Sequence, residues 1–329
     1  MYKRNTSSAQ SREFDMTISC PPVAMIIFNR PETTARVFER VRQARPKTLL
    51  VVADGPRSDR PDEAEHCAQA RAITEKVDWD CTVLRNYSET NMGCKQRPIS
   101  GLNWVFENVE EAIILEDDCL PDPSFFLYCG EMLERYRNDA RVMVINGNSY
   151  LPTGCKMPRS YAFSRLLRSW GWATWRRAWA LYDVEMKQWP AFRDSGELER
   201  LFSQKACQTS KTELERAFNG TYTQAWDYQW HFTILIHGGL CVRPSVNLVA
   251  NLGIGSGGGG THTQTDHPLG AYPSQAMAFP LRHPATVAAD ERLDREELLF
   301  MDRLSPRQGW QQLLPRTGIV GKLKKMFLG

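Results

Sequence analysis

Uninterrupted apolar runs, each ending in polar residues, decide what this chain can fold into. VAMIIF (23–28), TLLVVADG (48–55), AIILEDD (112–118) and RVMVING (141–147) show no polar alternation along their apolar stretches. A strand of that kind must be covered on both faces. CTVLRN (81–86) reads as a further strand. Between the runs the period changes. ETTARVFERVRQAR sets Val37, Phe38 and Val41 at helical spacing, and PISGLNWVFEN does the same with Ile99, Leu102, Val105 and Phe106. Asp122 and Pro123 are predicted as the N-cap and first residue of a helix over SFFLYCGEMLERYR. Strand and helix alternating over short connections predict an α/β fold, a mostly parallel sheet with helices on both faces.

Ligands of such sheets bind beyond the carboxyl ends of the strands. Asn29-Arg30, Asp54-Gly55 and Glu116-Asp117-Asp118 all stand at those ends. Three adjacent acids after an apolar run are costly. If the strand continued through them, Glu116 and Asp118 would share one face and bind a divalent cation, directly or through water. Hard cations such as Mn2+ or Mg2+ take oxygen ligands, often completed by substrate phosphates. A solvated acidic turn is the plainer alternative, and the strand-end position favours the cation. Asp54 suits the hydroxyls of a ribose, or an Asp-Gly turn that needs no ligand. Arg30 suits a phosphate or a base edge, or a surface position before the helix. Asn91, Gly93, Lys95 and Arg97 read as a basic loop ahead of a helix, suited to phosphates or to solvent.

The second half has a different texture. Seven of the ten tryptophans lie between Trp170 and Trp230, mostly as expected core. Asp227 stands apart as an acid among Trp226, Tyr228 and Trp230. Aromatic surroundings raise a carboxyl toward general-base use. Gly253 to Gly260 holds six glycines in eight residues with no phosphate-loop lysine, and is expected to be a mobile loop over a site.

Composition removes other classes. No apolar run reaches the ~20 residues of a membrane-spanning helix. A net charge of +3 over 329 residues does not suggest nucleic acid as a partner. Nine cysteines without a CxxC pattern read as thiols of a reducing compartment, the cytoplasm by default. Residues 1–20 are polar and lack the apolar core of a secretory signal, so a disordered leader is expected. The tail GKLKKMFLG is basic and amphipathic, and suits peripheral contact with the inner face of a membrane as well as it suits a solvated end.

IIFNRPETT, VVADG, AIILEDDCLPDPSFFLY, GWATWRRAW and AWDYQW occur in the order found in GT-A fold glycosyltransferases. The chain resembles bacterial family-two-like sugar transferases, and its EDD-PxFF block is similar to the inverting N-acetylglucosaminyltransferase family of N-glycans. The resemblance implies a Rossmann-like GT-A domain over residues 21–265. Within it, 21–150 would be the nucleotide-binding half and 151–265 the acceptor-binding half, with 266–329 a C-terminal extension. It further implies that Arg30 and Asp54 hold base and ribose, and that Glu116 and Asp117 face the ribose and donor sugar. Asp118 would ligate the metal, His262 would complete the metal site, and Asp227 would be the catalytic base. Arg97 falls near a position that is histidine in the N-glycan enzymes. The implied reaction is metal-dependent sugar transfer from a nucleotide-sugar donor, a UDP-sugar first, to a glycan or lipid-linked acceptor of bacterial surface polysaccharide synthesis. A sugar-phosphate nucleotidyltransferase would carry a glycine-rich loop where FNRPETT stands. A non-catalytic carbohydrate-binding protein would not need both EDD and Asp227.

Overall fold

The computed structural model describes residues 19–152, 155, 157–202, 204–221, 225–253 and 272–304. The first half alternates as the sequence predicts. It runs β1 (Val23–Ile27), α1 (Pro31–Ala44), β2 (Thr48–Ala53), α2 (Glu63–Thr74), β3 (Thr82–Tyr87), α3 (Gly93–Asn108), β4 (Glu111–Glu116), β5 (Cys119–Pro121), α4 (Ser124–Tyr136) and β6 (Val142–Asn146). Then come β7 (Tyr161–Ser164), β8 (Trp172–Trp175) and the helices α5 (Arg176–Trp179), α6 (Trp189–Asp194), α7 (Glu197–Leu201), α8 (Gln204–Phe218) and α9 (Asp227–Ile236). The strands β9 (Leu240–Pro244) and β10 (Val249–Asn251) precede α10 (Glu291–Leu304).

Eight strands form one sheet in the order β3-β2-β1-β4-β8-β6-β9-β7. The pairs β1–β2, β2–β3, β1–β4 and β6–β9 are parallel, while β8 runs antiparallel to both neighbours and β7 antiparallel to β9. The protein is therefore an α/β fold on a mostly parallel sheet. All five residues of β1 are buried. Val23, Met25 and Ile27 pack with Val37, Phe38 and Val41 of α1 on one face, and Ala24 and Ile26 with Leu102 and Val105 of α3 on the other. This two-sided cover is why the runs lack polar alternation. Gly101 lets α3 come down on β2, since a Cβ there would stand 2.4 Å from a Val52 methyl carbon.

Two local readings shift. Asp122 accepts from the Ser124 backbone N–H at 2.9 Å and from its hydroxyl at 2.6 Å, so it caps α4 as predicted although the regular helix starts after Pro123. The helix expected from Pro98 starts five residues earlier, at Gly93, and carries Pro98 inside it.

Residues 272–304 pack against the same sheet. Arg243 on β9 is fully buried and pairs with Asp294 and Glu297 of α10, the second at 2.8 Å. Glu297 also receives Arg168 Nε at 2.6 Å. Burial pushes the Glu297 carboxyl up, but Arg168 and Arg243 outweigh it and hold the group below its ordinary value. All nine cysteines are free thiols, five of them buried. No described helix is long and apolar enough to cross a membrane. Residues 1–18 and the basic tail lie outside the described residues.

Removing one partner from a buried ionic network leaves uncompensated charge. Arg243→Met should therefore cost ~3–5 kcal/mol, read as a lower urea midpoint with an unchanged denaturant slope.

Candidate active site

The carboxyl ends of β1, β2 and β4 open into a cavity of about 660 Å3. Arg30, Asp54, Arg97, Glu116, Asp117, Asp118 and Asp227 all line it. His262, and the glycine-rich stretch after Gly253, lie outside the described residues.

The acidic trio does not continue the strand. β4 ends at Glu116, paired with Ile26 of β1, and Asp117-Asp118 form a turn before β5. The extended segment expected to set Glu116 and Asp118 on one face is thus replaced by a turn, and both residues line the cavity. Asp117 Oδ2 accepts the Phe28 backbone N–H at 3.0 Å, and Arg30 Nη1 reaches Asp118 Oδ2 at 2.6 Å and Asp117 Oδ1 at 3.4 Å. Arg30 stands just before Pro31, where β1 gives way to α1. The β5–β10 ladder pairs Cys119 with Asn251 and brings Gly253 against Asp118. A Cβ at Gly253 would sit 2.2 Å from Asp118 Oδ2, so only glycine fits there without displacement.

This crowding sets the electrostatics. Burial pushes Glu116 up to about 8, and repulsion from Asp118, Asp117 and Asp227 adds to it against the pull of Arg30. Burial likewise pushes Asp117 up to about 7, with Arg30 opposing and Asp118 adding. Burial would lower Arg30, but Asp117, Asp118 and Glu116 hold it well above its ordinary value. The cluster therefore keeps protons near neutrality and rewards any added positive charge.

Asp54 is engaged differently. Its carboxylate accepts from the backbone N–H groups of Gly55 at 2.9 Å, Met92 at 2.8 Å and Gly93 at 3.0 Å, and from Asn91 Nδ2 at 3.0 Å. It thus satisfies the N-terminus of α3, which explains the early helix start. Arg97 falls inside α3 rather than in a loop ahead of it. It donates to the Ala53 carbonyl at 3.1 Å and to the Asn86 carbonyl and side chain, tying the ends of β2 and β3 together.

Asp227, in the same cavity lining, opens α9. Trp226 and Trp230 are buried with Trp172 and Trp179, so these rings are core that anchors the start of the helix. Ser169 Oγ donates to Asp227 Oδ2 at 3.1 Å. Gly253, the start of the glycine-rich stretch, lines the cavity, and so do Ser169, Trp170 and Arg57, which the sequence does not single out. The nearest signal for Ser169 was its place before Trp170 in the aromatic block.

No protein-family model matches the chain, and no curated protein matches it. Among solved structures it is similar to a 4-diphosphocytidyl-2C-methyl-D-erythritol synthase from Anaerococcus prevotii, with 12% identity, a TM-score of 0.32, and 50% of this chain and 75% of that one covered. It is also similar to a mannosyltransferase from Pyrobaculum calidifontis in complex with GDP-Man and Mn2+, with 15% identity, a TM-score of 0.31, and 46% and 44% covered. An inositol-1-phosphate CTP transferase from T. maritima shows 9% identity, a TM-score of 0.31, and 50% and 74% covered. The chain spans less than half of the mannosyltransferase.

Two outcomes are expected. Asp54→Ala orphans the donors at the start of α3 and should lower stability by about 2–3 kcal/mol, measured by urea unfolding. Glu116 binds its proton more tightly folded than unfolded, since folding raises it from 4.5 to about 8. Its contribution is fully present below the unfolded value and is lost as pH rises through the folded one. Stability of the metal-free protein should fall across that window by up to about 1.4 kcal/mol per pH unit, and Glu116→Gln should flatten the slope.

Proposed function

We propose that the chain is a divalent-cation-dependent glycosyltransferase acting on a nucleotide-diphosphate sugar. The observation that carries this reading is the meeting, in one cavity at the strand ends, of Glu116, Asp117, Asp118 and Arg30 with Asp227. Taken with the motif resemblance, the first group suits a diphosphate and the second an attacking hydroxyl.

The acids fit a hard cation. Their donors are carboxylate oxygens, the type Mn2+ and Mg2+ take, and Arg30 already supplies a positive charge against Asp117 and Asp118. Among the described residues no group of three His, Cys, Asp or Glu side chains converges on one point. Asp118 would hold the ion, with substrate oxygens completing its shell, and His262 is the further ligand that the resemblance implies. When bound, the cation supplies charge neutralisation for the departing diphosphate.

The chain's own residues then divide the work. Arg30 binds phosphate oxygens when it leaves Asp118, and stabilises the charge that grows on them. Asp54 holds the start of α3 in place beneath the nucleoside. Asp227 Oδ accepts the proton of the acceptor hydroxyl as that oxygen attacks the anomeric carbon. One displacement with one base inverts the anomeric configuration, as in inverting glycosidases. The acceptor class, a glycan or lipid-linked saccharide, follows from the resemblance, as does a role in bacterial surface polysaccharide synthesis, while a place at the cytoplasmic face of the membrane rests on the cysteine pattern and the basic tail.

The test is a panel of UDP- and GDP-sugars with and without MnCl2, scored by release of nucleoside diphosphate. A parallel arm offers nucleoside triphosphates with sugar phosphates and scores pyrophosphate. Cation-dependent nucleoside diphosphate release is expected, and pyrophosphate formation instead would overturn the reading in favour of a nucleotidyltransferase. Asp227→Asn should cut turnover ~100-fold or more while donor affinity stays within a few-fold and Tm is kept. Loss of Tm and donor affinity together, with no selective loss of turnover, would make Asp227 structural.

A further inference from the structure

Residues 164–169 run as a strap between α10 and α9. On the α10 side, Ser164 Oγ donates to Asp294 at 2.6 Å, the Arg165 N–H to Asp294 at 3.0 Å, and Arg168 Nε to Glu297 at 2.6 Å. Asn146, at the end of β6, grips the strap's backbone, accepting the Arg168 N–H at 3.1 Å and donating to the Leu166 carbonyl at 2.9 Å. On the α9 side, His231 Nε2 stands 3.1 Å from the Arg165 carbonyl and Ser169 Oγ donates to Asp227. Burial lowers His231 to about 4, so the ring is neutral and its Nε2–H donates to that carbonyl.

Asp227 and His231 are four residues apart, one above the other on one face of α9. The strap thus touches that face twice, one turn apart. Its far side is anchored by two acids of α10 that Arg243 holds in the core. These contacts hold the segment that ends in Ser169.

We infer that Ser169 is a positioning residue for Asp227, and that α10, through Glu297 and Arg168, sets the strap that presents it. The inference rests on the proposed role of Asp227 as the base. A hydroxyl donating to one carboxylate oxygen fixes the plane of the carboxylate, and holding that orientation before the acceptor arrives lowers the cost of reaching the attack geometry. Because the carboxylates of α10 do not line the cavity, an effect of Glu297 on turnover passes through what it holds, the strap at Arg168 and the Tyr150 backbone beside it.

The experiment measures turnover as nucleoside diphosphate released to water from the best donor of the panel, with donor affinity by calorimetry. Ser169→Ala should lower turnover ~10-fold with donor affinity within about two-fold, and Ser169→Thr, which keeps the hydroxyl, should recover most of the loss. Glu297→Gln should reproduce the turnover loss, and the double variant should be little worse than Ser169→Ala, since the two changes break one connection. If Glu297→Gln does not fold, Arg168→Gln takes its place, because it leaves Glu297 paired with Arg243. Full turnover in Ser169→Ala, or independent and additive losses in the pair, would overturn the inference alone. A wild-type chain that releases nothing from any donor would overturn both the inference and the proposed function.

Discussion

Burying Asp117 and Asp118 beside Glu116 at the end of a central strand is the constraint on which the site's construction turns. Each ionised carboxylate removed from water costs several kcal/mol unless it is paired and hydrogen-bonded. The neighbouring elements are arranged to supply that pairing. β1 ends so that the Phe28 N–H points at Asp117, and α1 begins one residue after Arg30, which brings its guanidinium onto both aspartates. β5 and β10 pair beyond the turn and bring a residue without a side chain against Asp118. Compensation remains partial, as the raised Glu116 and Asp117 carboxyls show. A site in that condition holds stored preference for positive charge, and a cation or a proton answers it equally in sign.

The sheet was legible because its cause is local. A strand covered on both faces must be apolar throughout, and β1, β2, β4 and β6 announce themselves by that alone. The strand-end rule then brings Arg30, Asp54 and the acidic trio to one edge of the sheet. What misled was the assumption of continued regularity. Alternation was carried one turn too far past Glu116, and α3 was started at its proline. Both misreadings have the same physical origin. A charged or capping side chain distant in sequence decides where an element stops: Arg30 for β4, 88 residues before Asp118, and Asp54 for α3.

Ser169 shows the opposite limit. Nothing in its own neighbourhood marks it, because its partner Asp227 lies 58 residues on and the pins of its strap lie 129 residues on. Sequence periodicity reports what an element buries against its own layer. It is silent on which loop is pinned by a buried ion pair, since Glu297 and Arg168 read singly as an ordinary polar helix residue and an ordinary basic loop residue. The tryptophans are a milder case. Their density alone does not tell which ring reaches the cavity, and packing on the sheet claims most of them.

The distribution of hydrogen bonds separates the acids of the cavity more sharply than their positions do. Asp54 spends both carboxylate oxygens on four donors of its own chain, so a ligand that uses it must compete with the start of α3. Asp118 holds Arg30, a flexible side chain whose departure leaves the backbone in place. Of these two aspartates, the first is tied to a helix end and the second to a side chain. Under the proposed function, the charged group that binds and leaves on every turnover belongs with Asp118, because there a change of partner costs a rotamer rather than a helix end.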